Sequence, residues 1–190
     1  MLSKLKIILF LTTFIFIWSC GDKTKKISEI IEVDMEMQMS NAYKQGLLEL
    51  ETGDVLLAAK KFNEAELLFP QSSWAPKSVI MAAYAYYTQG YYGDTIFELE
   101  RYLITYPNHK DKAYAHYLLG MTFYQQIIDE KKDLKSIMNA KKEFELIIRD
   151  YPTTEYAFDA KFKINLIKEI LAAKEMYIAR YYLNKSKWIP

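Results

Sequence analysis

The sequence predicts an all-α protein, a solenoid of about three and a half helix–turn–helix repeats that follows a short N-terminal targeting segment. Only six Gly and five Pro occur among the 190 residues, too few for the many tight turns of an all-β protein. Hydrophobic residues make up 51% of the chain, which is enough to bury a sizeable core. An aromatic residue followed by Pro recurs three times, at Pro70, Pro107 and Pro152, which indicates a repeated helix end.

The predicted targeting segment spans residues 1–19. Lys4 and Lys6 give it a positive start, and residues 7–18 that follow carry no charge. This stretch is too short to span a bilayer, which takes about 20 residues, and it has the length of a signal-peptide core. The alternative is an ordinary buried N-terminal helix.

The charge-free stretch ends just before Cys20, the only Cys in the chain. The small or neutral residues just before the Cys resemble the lipobox of bacterial lipoproteins, and Gly21 after it resembles the pattern that sorts lipoproteins to the outer membrane. The resemblance implies lipidation of Cys20, with N-acyl and S-diacylglycerol groups on that residue. In the alternative interpretation the Cys occurs there by chance. Residues 20–38 are polar with interspersed Ile and Met, and we interpret them as a tether that leads into a helix.

Each of the three Pro residues follows a set of residues that are spaced four, three and four apart. The sets are Ala58, Phe62, Ala65, Phe69; Thr95, Leu99, Tyr102, Tyr106; and Ala140, Phe144, Ile147, Tyr151. That spacing predicts one buried face of an α-helix, and the Pro predicts where the helix ends. We call this the B helix of each repeat.

Small residues at fixed distances before each Pro predict a preceding A helix. Gly53 and Gly90 both lie 17 residues before a Pro and predict the turn between the two helices. Gly46 and Ala83 both lie 24 residues before a Pro, where a small side chain lets two helices approach closely. The predicted repeats are therefore 39–72, 76–109 and 113–154, with a partial fourth repeat at 155–190.

The third repeat is longer than the second, because its Pro lies 45 residues after the previous one instead of 37. The extra residues fall at its A–B turn, around 129–139, and predict an exposed loop or additional helical turns. After Pro152 we expect a helix from Thr154 to about Ala172, followed by a separate A helix that ends near Asn184.

The chain would then stop in mid-repeat, as a truncated product lacking a fourth B helix. We expect this to leave bare an apolar face with Tyr177, Tyr181 and Trp188, as a binding surface or an aggregation risk.

The register resembles the tetratricopeptide (TPR) pattern, in which helix pairs stack into a superhelix whose groove is lined mainly by A helices. In the first repeat, the residues that match the TPR pattern are Gly46, Ala58, Phe62, Ala65 and Pro70. Three residues depart from the pattern: Thr95, Tyr102 and Ile147.

The order of lipobox, short tether, TPR units and third-repeat insertion resembles the BamD family, also called ComL or YfiO. The stretch YAYY at residues 84–87 is similar to one in the second repeat of that family. The resemblance implies a lipid-anchored periplasmic scaffold of the β-barrel assembly machinery in the outer membrane. The implied partners are a BamA-type barrel insertase, other assembly lipoproteins and the C-terminal signals of unfolded outer-membrane proteins.

In the TPR register, the A-helix positions near 2, 5, 9 and 12 face the groove, and six of these twelve places hold Tyr. Tyr offers broad apolar contact and a hydroxyl group at low entropic cost, which suits an extended peptide. The alternative is that these tyrosines pack one helix against another. The candidate groove residues are Tyr43, Lys77, Tyr84, Tyr87, Tyr114, Tyr117 and Tyr124, with Lys77 placed to meet a C-terminal carboxylate.

No pattern in the sequence predicts catalysis, a metal site or a cofactor. We interpret His109 as a loop residue and His116 as a helix-surface residue, and no phosphate-binding or nucleophile motif occurs. The net charge of +1 without a basic stripe argues against nucleic-acid binding. Two rivals to the assembly scaffold stay open: a TPR adaptor that coordinates envelope constriction or peptidoglycan synthesis, and an envelope hydrolase whose catalytic domain lies elsewhere.

Overall fold

The computed structural model describes residues 27–127 and 134–185, with side chains from residue 35 onward. The chain divides into two compact units, residues 1–37 and 38–190. The described parts form seven helices and contain no β-strand. Their bounds are α1 (Ile27–Thr52), α2 (Val55–Leu68), α3 (Ala75–Thr88), α4 (Tyr92–Thr105), α5 (Lys112–Gln125), α6 (Leu134–Asp150) and α7 (Glu155–Asn184).

The all-α prediction is confirmed, with α1, α3, α5 and α7 as A helices and α2, α4 and α6 as B helices. Helix α1 begins at Ile27, so the second half of the predicted tether is helical. Cys20 and the predicted signal peptide lie outside the described residues, as does Trp188. None of the helices in the described ranges is both long and apolar enough to cross a membrane.

The Pro and Gly residues end and turn the helices as predicted. Each B helix ends two residues before its Pro. Gly53 and Gly90 have φ angles of +89° and +76°, between α1 and α2 and between α3 and α4. A side chain at either position would strain the backbone, because L residues rarely adopt that conformation. Asp54 then caps α2 by accepting a hydrogen bond from the backbone N–H of Leu57 at 3.0 Å.

The residues spaced four, three and four apart form the buried face of each B helix. The first three of each set have no exposed surface, and the fourth, directly before Pro, is half-buried. Phe62 and Phe144 are among the largest of these fully buried side chains. Burial of such a side chain stabilises the fold by roughly 1.5–3 kcal/mol.

The small A-helix residues make room for those side chains. A Cβ atom added to Gly46 would lie 2.8 Å from the Phe62 ring, and one added to Gly120 would lie 2.8 Å from the Phe144 ring. In the second repeat, Ala83 of the A helix and Leu99 of the B helix belong to one core cluster. Leu99 is smaller than the Phe residues at the same place in the other two repeats. The distance between A and B helices is therefore set by paired small and large residues.

The insertion in the third repeat contributes to the B helix. Helix α6 has 17 residues, whereas α2 and α4 have 14 each. The additional turn lies at its start, where Leu134 and Lys135 are exposed. Residues 128–133 lie outside the described ranges.

The predicted break near Ala172 is wrong, because α7 is one continuous helix of 30 residues. No Gly or Pro occurs between residues 155 and 184, so nothing in the backbone interrupts it. Its first half packs on α6 through Ala157, Ala160, Ile164 and Ile167. From Ala172 onward most side chains are exposed, including Tyr177 and Tyr181. The first half of α7 is thus the A helix of the fourth repeat.

Candidate functional site

A cavity of about 270 Å³ is lined by side chains from all four A helices. Every A helix contributes at least one side chain to it, and Asp111 adds a carboxylate from the N-cap position of α5. The lining residues are Tyr43, Lys77, Ile80, Met81, Asp111, Tyr114 and Tyr156. The cavity therefore joins all four repeats through one surface with a cation, an anion and several apolar groups.

One wall of the cavity is built around Tyr43. Its ring packs edge-on against Phe62 and Trp74, with centroid distances of 5.3 and 5.2 Å. The Lys77 ammonium lies 4.8 Å from the centroid of the Trp74 ring, which favours a cation over its face. Burial raises the pKa of Tyr43, so its hydroxyl group stays protonated at neutral pH.

The opposite end of the lining is built from tyrosines of α5 and α7. The Tyr156 ring lies 5.5 Å from that of Tyr114 and 5.2 Å from that of Tyr117, centroid to centroid. Burial raises the pKa of Tyr114 to about 12, with smaller contributions from nearby tyrosines such as Tyr84. The Tyr114 hydroxyl is therefore a hydrogen-bond donor throughout the physiological pH range.

The seven groove candidates have different surroundings. Tyr43, Lys77 and Tyr114 line the cavity together. Tyr84 is exposed and lies close enough to Tyr114 to affect its pKa.

The other three candidates pack against neighbouring elements. The Tyr117 hydroxyl donates a hydrogen bond to Asp159 of α7 at 2.8 Å. Tyr87 packs on the core cluster of the second and third repeats. The Tyr124 ring packs on that of Phe144 and carries the Lys163 ammonium 5.1 Å from its centroid. Whether any of the seven binds a peptide stays a prediction.

Of the other four lining residues, Ile80 holds one of the twelve groove positions of the register, whereas Met81, Asp111 and Tyr156 were missed by sequence reasoning. Tyr156 holds the same register position in the fourth repeat as Lys77 and Tyr114 hold in theirs, so extending the register would have found it. Asp111 carried no such signal, because it precedes its helix.

The interpretation of His116 as a helix-surface residue is wrong. Its ring is buried between α5 and α6, and Nδ1 lies 2.7 Å from Oε2 of Glu143. His116 is turned inward because it lies beside the buried Ala115 and one turn before the buried Leu119 and Gly120. His109 is in a loop as predicted. Within the described ranges, no three His, Cys, Asp or Glu side chains are grouped to hold a metal ion.

Comparison with known proteins connects this fold to one family. The family model described as YfiO, outer membrane lipoprotein, matches residues 35–190. The chain belongs to the YfiO family. This confirms the resemblance found in the sequence and the TPR-like character of the helical array. The match includes every residue that lines the cavity.

Three relatives are each named outer membrane protein assembly factor BamD. The protein of Caulobacter vibrioides is 33% identical over 168 residues, which cover 88% of this chain and 54% of the relative. The protein of Rickettsia prowazekii is 32% identical over 165 residues, which cover 87% of this chain and 64% of the relative. The protein of Xylella fastidiosa is 27% identical over 189 residues, which cover 94% of this chain and 63% of the relative. The chain thus spans between about half and two thirds of the length of these relatives.

Proposed function

We propose that this protein is an outer-membrane protein assembly factor that works by binding, as a scaffold, and makes or breaks no covalent bond. Membership of the YfiO family and likeness to proteins named BamD support the assembly role. The observation that carries the binding role is the A-helix cavity, where a cation lies among aromatic and aliphatic side chains.

The cavity suits the end of an extended polypeptide. Its volume of about 270 Å³ is near the lower end for ligand sites, enough for one large side chain and its backbone. Tyr43 and Tyr114 offer ring surface together with hydroxyl donors. Lys77 offers a charge for a terminal carboxylate. The proposed ligand is the C-terminal segment of an unfolded outer-membrane protein that ends in an aromatic residue.

The proposed setting is the periplasmic face of the outer membrane. Acyl groups on Cys20 would hold the protein there, since two or more chains anchor stably at about 0.8 kcal/mol per buried methylene. The C-terminal repeats would dock a BamA-type insertase, and other assembly lipoproteins would join the same complex.

The peptide test uses the full chain in mild detergent and a fluorescent peptide that ends in Phe. Lys77→Met should weaken binding about fivefold, the upper end for an exposed charge pair. Amidation of the peptide's terminal carboxylate should weaken binding to the same degree. The two changes together should cost no more than either alone, because they remove the same ion pair.

Lys142→Met is the matched control, since Lys142 is an exposed lysine of α6 that does not line the cavity. It should leave the affinity unchanged. Equal affinities of the Lys77→Met variant and the wild type, with helicity retained in circular dichroism, would rule out the carboxylate role.

The partner test is co-purification after mild detergent extraction. A large barrel protein of the insertase class should be recovered with the wild type and lost when Cys20→Ala removes the anchor from the membrane. Recovery of peptidoglycan synthases in its place would favour the rival adaptor role.

A further inference from the structure

A continuous chain of polar contacts joins the buried face of α4 to the cavity wall. Tyr102 of α4 is fully buried, and its hydroxyl group lies 2.8 Å from Nδ1 of His109 in the loop that follows. The backbone N–H of Asp111 donates to the same nitrogen at 3.4 Å. The Asp111 carboxylate lies 3.7 Å from this nitrogen and lines the cavity.

The direction of these hydrogen bonds follows from the donors. The Tyr102 hydroxyl group can donate at neutral pH, as an ordinary tyrosine does, and burial raises its pKa further. With the Asp111 N–H as a second donor, Nδ1 of His109 has to accept. The ring proton then lies on Nε2, and α4 sets the orientation of the ring through the Tyr102 hydroxyl group.

The start of the same loop is held by a second set of contacts. The Tyr106 hydroxyl donates to Glu66 of α2 at 2.8 Å. Arg101 donates to Glu66 at 2.9 Å and to Glu98 at 2.8 Å. Both carboxylates are nearly buried, and their pairing with one guanidinium joins α4 to α2, whereas the Tyr106 hydroxyl group joins the start of the loop to α2.

The geometry points to Tyr102 and His109 as positioning residues that hold Asp111 at the cavity wall through its backbone N–H, and thereby set the polarity of the bound peptide. This rests on the proposed function, since it concerns the same cavity. With its carboxylate in the lining of the same cavity as Lys77, Asp111 favours a cationic side chain near the peptide terminus and disfavours an anionic one.

The test compares two peptides that end in Phe and carry either Lys or Glu directly before it. The wild-type chain should prefer the Lys peptide about threefold, as expected for one partly exposed charge contact. Asp111→Asn should abolish this preference. Tyr102→Phe keeps the buried ring and removes only the hydroxyl, and it should reduce the preference without changing helicity.

A double-mutant cycle separates positioning from general structural damage. Tyr102→Phe should have no further effect on the preference in the Asp111→Asn background, because both act through the same carboxylate. A purely structural role would weaken both peptides equally and leave their ratio unchanged, which would overturn the proposal. Tyr91→Phe, a half-exposed tyrosine on the A–B turn of the second repeat, is the matched control and should change neither affinity. If Tyr102→Phe fails to fold, His109→Ala in the loop takes its place.

A second measurement needs no peptide. The chain has two histidines, so ¹⁵N-labelled imidazoles can be assigned with one His116→Gln variant. His109 should carry its proton on Nε2 in the wild type and shift toward a mixture of tautomers in Tyr102→Phe. A proton on Nδ1 in the wild type would overturn the positioning. If the wild type binds neither peptide, both the proposed peptide binding and the proposed preference for a cationic peptide are overturned. The tautomer of His109 would still decide whether Tyr102 positions His109.

Discussion

Repeats 2 and 3 carry a glutamate at the same place in the B helix, yet the two carboxylates have different partners. Glu98 accepts hydrogen bonds from Asn63 of the preceding repeat and from Arg101, at distances of 2.8–3.0 Å. Glu143 instead pairs with His116 of its own A helix at 2.7 Å. The first carboxylate therefore joins two repeats, whereas the second joins the two helices of one repeat.

The chain segments that connect the A helix to the B helix also differ between repeats 2 and 3. A tight turn at Gly90 already holds α3 and α4 together. In the third repeat α5 ends at Gln125 and α6 begins at Leu134, so a longer connection separates them. The buried His116–Glu143 pair joins these two helices directly through their side chains.

Shortening a buried side chain tests how much the apolar contact between the A and B helices stabilises repeats 2 and 3. Phe144→Ala should lower the free energy of unfolding by about 4 kcal/mol, because Gly120 opposite has no side chain to fill the space. Leu99→Ala, opposite Ala83, should cost about 3 kcal/mol. Urea unfolding followed by circular dichroism measures both. Phe158→Ala is the control, since this side chain is 66% exposed, and a loss equal to that of Phe144→Ala would contradict the assignment.

Removing the guanidinium tests the link between repeats 1 and 2. Arg101→Met should destabilise the fold by about 2 kcal/mol, less than for a fully buried pair because Arg101 is about a third exposed. The loss arises because Glu66 and Glu98 remain nearly buried without their cation. Arg149→Met, which removes only an exposed contact with Asp150, should have almost no effect in the same urea titration.

Neutralising the carboxylate tests the link within repeat 3. Glu143→Gln keeps the shape but weakens the hydrogen bond with His116, and we expect a loss of about 1 kcal/mol. Hydrogen exchange should show the loss in α5 and α6, with α2 and α4 unaffected. Equal loss of protection in α2 would mean that this pair also joins repeats.

Alkaline titration tests the Tyr106 contact at the first junction. Burial and the hydrogen bond to Glu66 raise the pKa of Tyr106 to about 12, above the ordinary value of 10.0. The folded state therefore holds this proton more tightly than the unfolded state. The contribution is fully present below pH 10 and is lost as the pH rises through about 12. Tyr106→Phe should make the stability less sensitive to pH in that range, and an unchanged slope would contradict the contact.

Much of the fold followed from local patterns. The Pro and Gly positions predicted helix ends and turns to within a few residues, and the spaced sets predicted the buried B-helix faces. The predicted break near Ala172 is wrong because repeat length by itself does not end a helix, and no Gly or Pro opposes the helical backbone between residues 155 and 184. The register also predicted Tyr43, Lys77 and Tyr114, which line one cavity.

The direction of polar side chains did not follow from the register. Tyr117 occupies a groove position, but its hydroxyl donates to Asp159, 42 residues further along the chain. His116, which the sequence predicts to lie on the helix surface, pairs with Glu143, 27 residues away. Such pairs depend on which repeats lie side by side and on how closely they approach.

The amino-acid sequence alone determined the helical class, the repeat length, the buried faces and the family. These depend on backbone preference and apolar periodicity, which act over a few residues. Only the tertiary structure decided that Asp111 shares a cavity with Lys77, that Tyr102 orients His109, and that Glu98 and Glu143 have different partners. Hydrogen bonds require two groups within about 3 Å, and for residues far apart in the chain that distance is set by packing.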